Sequence, residues 1–112
     1  MRIFRVEDES GTGPYYADVD LRRMWAAHNG PNHPLPRNDG MAPVTPWEVF
    51  GFESMEKLHE WFRGFEEDLD RAGFSVSTYE IEEWRVKRGL KQVAFNVECA
   101  TLVGSERLCA AL

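Results

Sequence analysis

ESMEKLHEWFRGFEEDLDRAG, residues Glu53–Gly73, decides how this chain is read. Its apolar residues fall at Met55, Leu58, Trp61, Phe62, Phe65, Leu69 and Ala72, the i, i+3, i+4, i+7 spacing of one helix face. Ser54 is placed to cap the first turn through its hydroxyl. Glu53 and Glu56 bring negative charge to the positive end of the helix dipole, and Gly73 supplies a left-handed stop. The spacing predicts one long amphipathic helix. Gly64 in its middle costs up to about 1 kcal/mol against alanine, which a close approach by another backbone would explain. The opposite face carries Glu60, Glu66, Glu67, Asp68 and Asp70.

Working outward, β-favouring runs surround this helix. Arg2 to Glu7 reads as a first strand in which Ile3 and Arg5 alternate with Phe4 and Val6, so one face carries a charge. EDESGTGPYY then breaks the pattern with Gly11, Gly13 and Pro14. A short helix through Leu21, Met24 and Trp25 follows, with Asp18 or Asp20 as its cap and an end near Gly30. Asn29 to Trp47 holds five of the six prolines, so neither helix nor central strand is expected there. A loop of that length inside a domain is uncommon and often functional, and its composition fits a lid, a binding loop or a disordered excursion alike.

Glu48 to Phe52 is a short aromatic strand leading into the main helix. In FSVSTYEIEEW the apolar parity slips between Phe74 and Val76 on one side and Tyr79 and Ile81 on the other, which predicts a bulge near Ser77 or Thr78. Trp84 to Asn96 reads as a hairpin with a KRGL turn in which Gly89 is able to take positive φ. A last strand is expected around Ala100 to Val103. The order is that of an α+β protein: a mixed or antiparallel sheet with one dominant amphipathic helix packed across it. Residues 1–112 form a single domain containing the Pro-rich loop 29–47.

A net charge of −6 argues against direct nucleic-acid binding, which needs clustered Lys and Arg. It leaves open a basic protein partner, since opposite potentials steer association, while simple solubility is the ordinary reason for such a charge. No run of about 18 apolar residues exists, so no membrane span is expected. MRIFRVEDES has no apolar core, so no signal peptide is expected either. With two cysteines and no export signal, reduced thiols in a cytoplasm are the default.

Sequence motifs for catalysis are missing. There is no HExxH, CxxC or GxSxG, and His28, His33 and His59 lack ligand spacing, so no metal or catalytic residue is assigned. Cys109-Ala110-Ala111-Leu112 fits a prenylation box by letter, but no polybasic stretch lies beside it to add the second membrane signal. The carboxylates Glu60, Glu66, Glu67 and Asp70 form either a solvated helix face or an acidic partner-binding face.

Taken together, FRVEDESGTGPY, FGFESMEKLHEWF, FSVSTYEI and GLKQVAF resemble small, mostly uncharacterised proteins of phages and prophages. That resemblance implies an accessory role in the host cytoplasm. Beneath it, the strand–helix–strand order with YEI and KQVAF is similar to the core of ADP-ribosyltransferases. This second likeness implies NAD as cofactor, with Arg5 gripping the ribose and Phe50 or Phe52 stacking on nicotinamide. Gln92 stands where that family has Glu, with Glu80 or Glu82 as substitutes under another register. Tyr15 and Tyr16 complete the candidate ligand cleft. The first expectation is a non-catalytic accessory protein that binds a host or defence protein through its acidic surface and the Pro-rich loop 29–47. The alternatives are an NAD-binding or ADP-ribosylating enzyme and a virion or assembly component.

Overall fold

The computed structural model of the chain describes residues 1–17 and 19–109. Among the described residues, six strands form two three-stranded antiparallel sheets. β1 (Arg2–Glu7) pairs with β3 (Ser75–Glu80), which pairs in turn with β6 (Thr101–Arg107). β2 (Glu48–Gly51) pairs with β5 (Val93–Asn96), which pairs with β4 (Lys87–Arg88). The α+β class is as expected, and every pairing is antiparallel.

A two-residue bridge joins the sheets. Phe4 and Phe52 exchange both backbone hydrogen bonds at 2.8 Å, so β2 runs on beside β1. Gly51 makes this possible by its lack of bulk. A β-carbon there would lie 2.6 Å from Ile3 Cγ2 and 3.0 Å from the Phe4 carbonyl oxygen.

Because β1 and β3 are covered on both sides, their alternation serves two cores. Val6 and Val76, cross-strand partners, pack with Leu58, Phe62 and Leu69 of the helices. Ile3 and Tyr79, also partners, pack with Val93 and Phe95 of the second sheet. This explains the parity slip at Phe74–Ile81: the apolar residues change side because both sides are buried. The register does shift between Thr78 and Tyr79, but the extra residue is Val103 on β6, which faces no partner between Leu102 and Gly104.

The long amphipathic stretch is two helices rather than one. α2 (Met55–Trp61) starts as expected, with the Ser54 hydroxyl accepting from the Lys57 N–H at 3.1 Å. It ends at Phe62, and α3 (Glu66–Arg71) begins after a turn in which Gly64 takes φ +87°. Nothing lies within 4 Å of a β-carbon at Gly64, so conformation and not close packing requires glycine there. Periodicity survives the break: Leu58, Trp61, Phe62 and Leu69 are all buried. Gly73 at φ +94° ends α3 as its sequence position implies.

α1 (Arg22–Ala27) buries Met24, and the Asp20 carboxylate accepts from the Arg22 N–H. Asp18, the other candidate cap, lies outside the described residues. So do Ala110, Ala111 and Leu112 of the C-terminal tetrapeptide. The hairpin is shorter than its pattern suggests. Trp84 sits in a 3-10 turn (Glu83–Arg85) and Val97 in another (Val97–Cys99). Gly89 does not have positive φ. Its lack of a side chain makes room for the Asp39 carboxylate instead.

Between Asn29 and Trp47 the chain has one 3-10 turn, Pro36–Asn38, and is otherwise irregular. It is tied down by specific bonds. Asp39 is 2 % exposed, and its carboxylate accepts from the Lys91 and Gln92 N–H groups at 2.9 to 3.0 Å. Lys87 donates to the Pro43 carbonyl. Proline-rich loops lack donors of their own, and here the hairpin supplies them.

Candidate protein-binding surface

The residues proposed for a ligand cleft separate into three networks. Arg5 is buried: its Nε donates to Glu7 Oε1 at 2.8 Å, Nη1 to the Phe50 carbonyl at 2.8 Å and Nη2 to the Gly11 carbonyl at 3.1 Å. Tyr79 donates its hydroxyl proton to the other Glu7 oxygen. Desolvation and then Glu7 push the Tyr79 pKa far up, so the phenol keeps its proton. Gln92 is buried elsewhere and donates to the Pro34 carbonyl at 2.9 Å. Phe52 is part of the helix-side core, and Phe50 meets Arg5 only through its backbone.

Tyr15 belongs to a histidine cluster that no sequence spacing announced. Trp61 donates its indole N–H to the Tyr15 hydroxyl at 2.8 Å, and that hydroxyl shares a hydrogen bond with His28 Nδ1 at 2.5 Å. His28 and His33 stack with centroids 3.8 Å apart, and His33 Nε2 donates to the Trp61 carbonyl. That carbonyl is orphaned by the end of α2, so His33 completes the helix terminus while pinning the Pro-rich loop to it. Burial, and then the neighbouring His33, lower the His28 pKa to about 4. Although 41 % of Tyr15 is exposed, its hydroxyl is wedged inside this cluster, and desolvation raises its pKa to about 12. Tyr16, next in sequence, is 83 % exposed and separate.

The acidic residues do not line one helix face, because the break at Gly64 divides them. Glu60 and Glu67 are exposed, and Glu67 reaches Arg71 at 3.9 Å. Glu66 accepts from the Gly64 N–H, and its other oxygen lies 3.6 Å from His59. Asp70 is bridged by Arg107 at 2.6 Å, which holds its carboxyl below the usual range.

One end of the second sheet is different in character. The registers Glu48–Asn96 and Lys87–Ala94 bring the start of β2, the end of β5 and the start of β4 to the same side. Trp47 directly precedes β2, Val97 directly follows β5, and Trp84 stands in the turn before β4; Trp47 is 65 % and Trp84 73 % exposed. Trp84 is nevertheless held in place. Its indole N–H donates to Glu82 Oε2 at 2.8 Å, and the Arg85 guanidinium lies 4.3 Å from its ring centroid. Those same groups, Trp84 first and then Arg85, lower the pKa of Glu82. The turn at Val97–Cys99 then carries the chain into β6, where Leu102 and Val103 are also exposed.

A family model described as Bacteriophage T4 Y00F protein matches residues 1–109. The chain belongs to that family. It is therefore a phage protein, as the order of its motifs suggested. No curated protein and no solved structure matches the chain. Among the described residues of this Y00F family member, no helix is long and apolar enough to cross a membrane.

Proposed function

We propose that this phage protein is a non-catalytic accessory factor that binds a host or phage protein through the end of the second sheet bearing Trp47 and Trp84. The observation that carries the reading is Trp84: largely exposed, yet fixed by Glu82 and Arg85. A small protein gains nothing in folding from leaving two indoles in water. A partner gains from both, because tryptophan is the residue most enriched among binding hot spots. Fixing the ring beforehand lowers the entropy lost on association. Glu60 and Glu67 remain a second surface, and the overall charge of −6 favours a basic partner.

The NAD alternative has less support. It needs free groups at Arg5 and Gln92 and an accessible ring at Phe50 or Phe52, whereas both polar side chains have internal partners and Phe52 packs in the core, with Phe50 half-buried. Site-specific photo-crosslinking during phage infection tests the binding reading. A crosslinking amino acid at position 47 or 84 is expected to capture one discrete protein, and one at 60 or 67 to capture none. A virion protein in the adduct would make the role one of assembly. Capture only from 60 and 67 would transfer the function to the acidic residues.

A further inference from the structure

β6 lies at the edge of its sheet, paired on one side only, and all seven of its residues are exposed. Its outer N–H and C=O groups therefore have no strand to receive them. Some of the usual protections of such an edge are present, since Val103 makes a bulge and Glu106 and Arg107 carry charge, but TLVGSER contains no proline and no lysine. Leu102 and Val103 present apolar side chains, at 56 % and 49 % exposure. Two exposed carboxylates bracket this stretch, Glu98 in the preceding turn and Glu106 within the strand. Neither has an ion-pair partner among the described residues, whereas the adjacent Arg107 is taken by Asp70.

We propose that β6 accepts an extended segment of the protein partner as a fourth strand of the β1–β3–β6 sheet. The segment carries aliphatic or β-branched residues at its centre and a Lys or Arg toward each end. This inference rests on the protein-binding reading above and supplies its mode. Strand addition lets main-chain bonds provide affinity while side chains alternate between the two faces to provide specificity. The free carboxylates at Glu98 and Glu106 select cations there and reject an acidic strand. A second copy of this chain is disfavoured as occupant, since it brings another net charge of −6 and no free cation on its own β6.

The probes are two synthetic peptides, KVTVTVK and EVTVTVE, titrated into isotope-labelled protein with amide spectra and hydrogen exchange as readouts. The lysine peptide is expected to shift and protect amides of Thr101 to Arg107, with the glutamate peptide about tenfold weaker or worse. The double variant E98K/E106K, altered only at exposed positions, is expected to stay folded and to reverse that preference. Failure of both peptides to bind, protection confined to other strands, or an unreversed preference overturns the proposal. Concentration-dependent protection of β6 without peptide overturns it in favour of self-association. If crosslinks from positions 47 and 84 persist while β6 is unaffected, the binding reading stands and strand addition alone falls.

Discussion

At the scale of single residues, polar groups are placed where water is absent. Arg5, Glu7 and Tyr79 satisfy one another inside the protein. Removing one member leaves a buried charge without its partner, so Glu7→Ala is expected to lower stability by about 3–5 kcal/mol in urea unfolding. A loss near zero would mean water reaches Arg5. Gly51 makes a similar demand through volume: Gly51→Ala is expected to cost about 1–3 kcal/mol, because Ile3 and the Phe4 carbonyl leave no room for a methyl group. His28 adds a pH dependence. Folded, it takes a proton only near pH 4; unfolded, near about 6.5. Between those values the unfolded chain binds more protons, so stability falls as pH drops through that window. Unfolding midpoints of the wild type and His28→Gln, compared at pH 7.5 and 5, are expected to diverge, with the variant less sensitive. Parallel losses would remove His28 as the cause. Glu53 and Asp70, held low chiefly by Lys57 and by Arg107, lose their contributions only at more acidic pH.

At the scale of elements, the sequence carried the strands and the apolar face of the helical region well. Ser54, Leu58, Phe62, Leu69 and Gly73 do what their spacing implies, because burial and capping are local consequences of residue order. Helix continuity was another matter. The apolar residues stay in phase through Gly64, so a periodic pattern cannot distinguish a straight helix from one interrupted at φ +87°. Gly64→Ala is expected to cost about 1 kcal/mol by forcing a side chain into left-handed backbone. A stabilised variant would argue that α2 and α3 can fuse into one helix. Gly89 teaches the converse. Its reason, the approach of Asp39 from 50 residues earlier in the chain, is tertiary and left no trace in the turn chemistry.

Across the whole molecule, the candidate surface was the least legible part. Four tryptophans in 112 residues read as core material, since large apolar side chains normally serve it. Trp61 does so, and Trp25 packs half-buried against the same core. Trp47 and Trp84 do not: Trp47 adjoins the start of β2 and Trp84 stands in the turn that precedes β4, both largely exposed. The acidic positions were legible as charges but not as partners: Glu66 serves the Gly64 turn and Asp70 serves Arg107. Charge reversal at those two would confuse binding with folding. The most direct test therefore compares recovery of the bound protein from infected cells by three baits: wild type, W47A/W84A and E60K/E67K. Each bait is first checked for an unchanged melting temperature. Loss of two hot-spot indoles is expected to weaken the complex by at least about 2 kcal/mol, roughly 30-fold, leaving little partner on W47A/W84A and near-normal amounts on E60K/E67K. Full recovery on W47A/W84A would contradict the account.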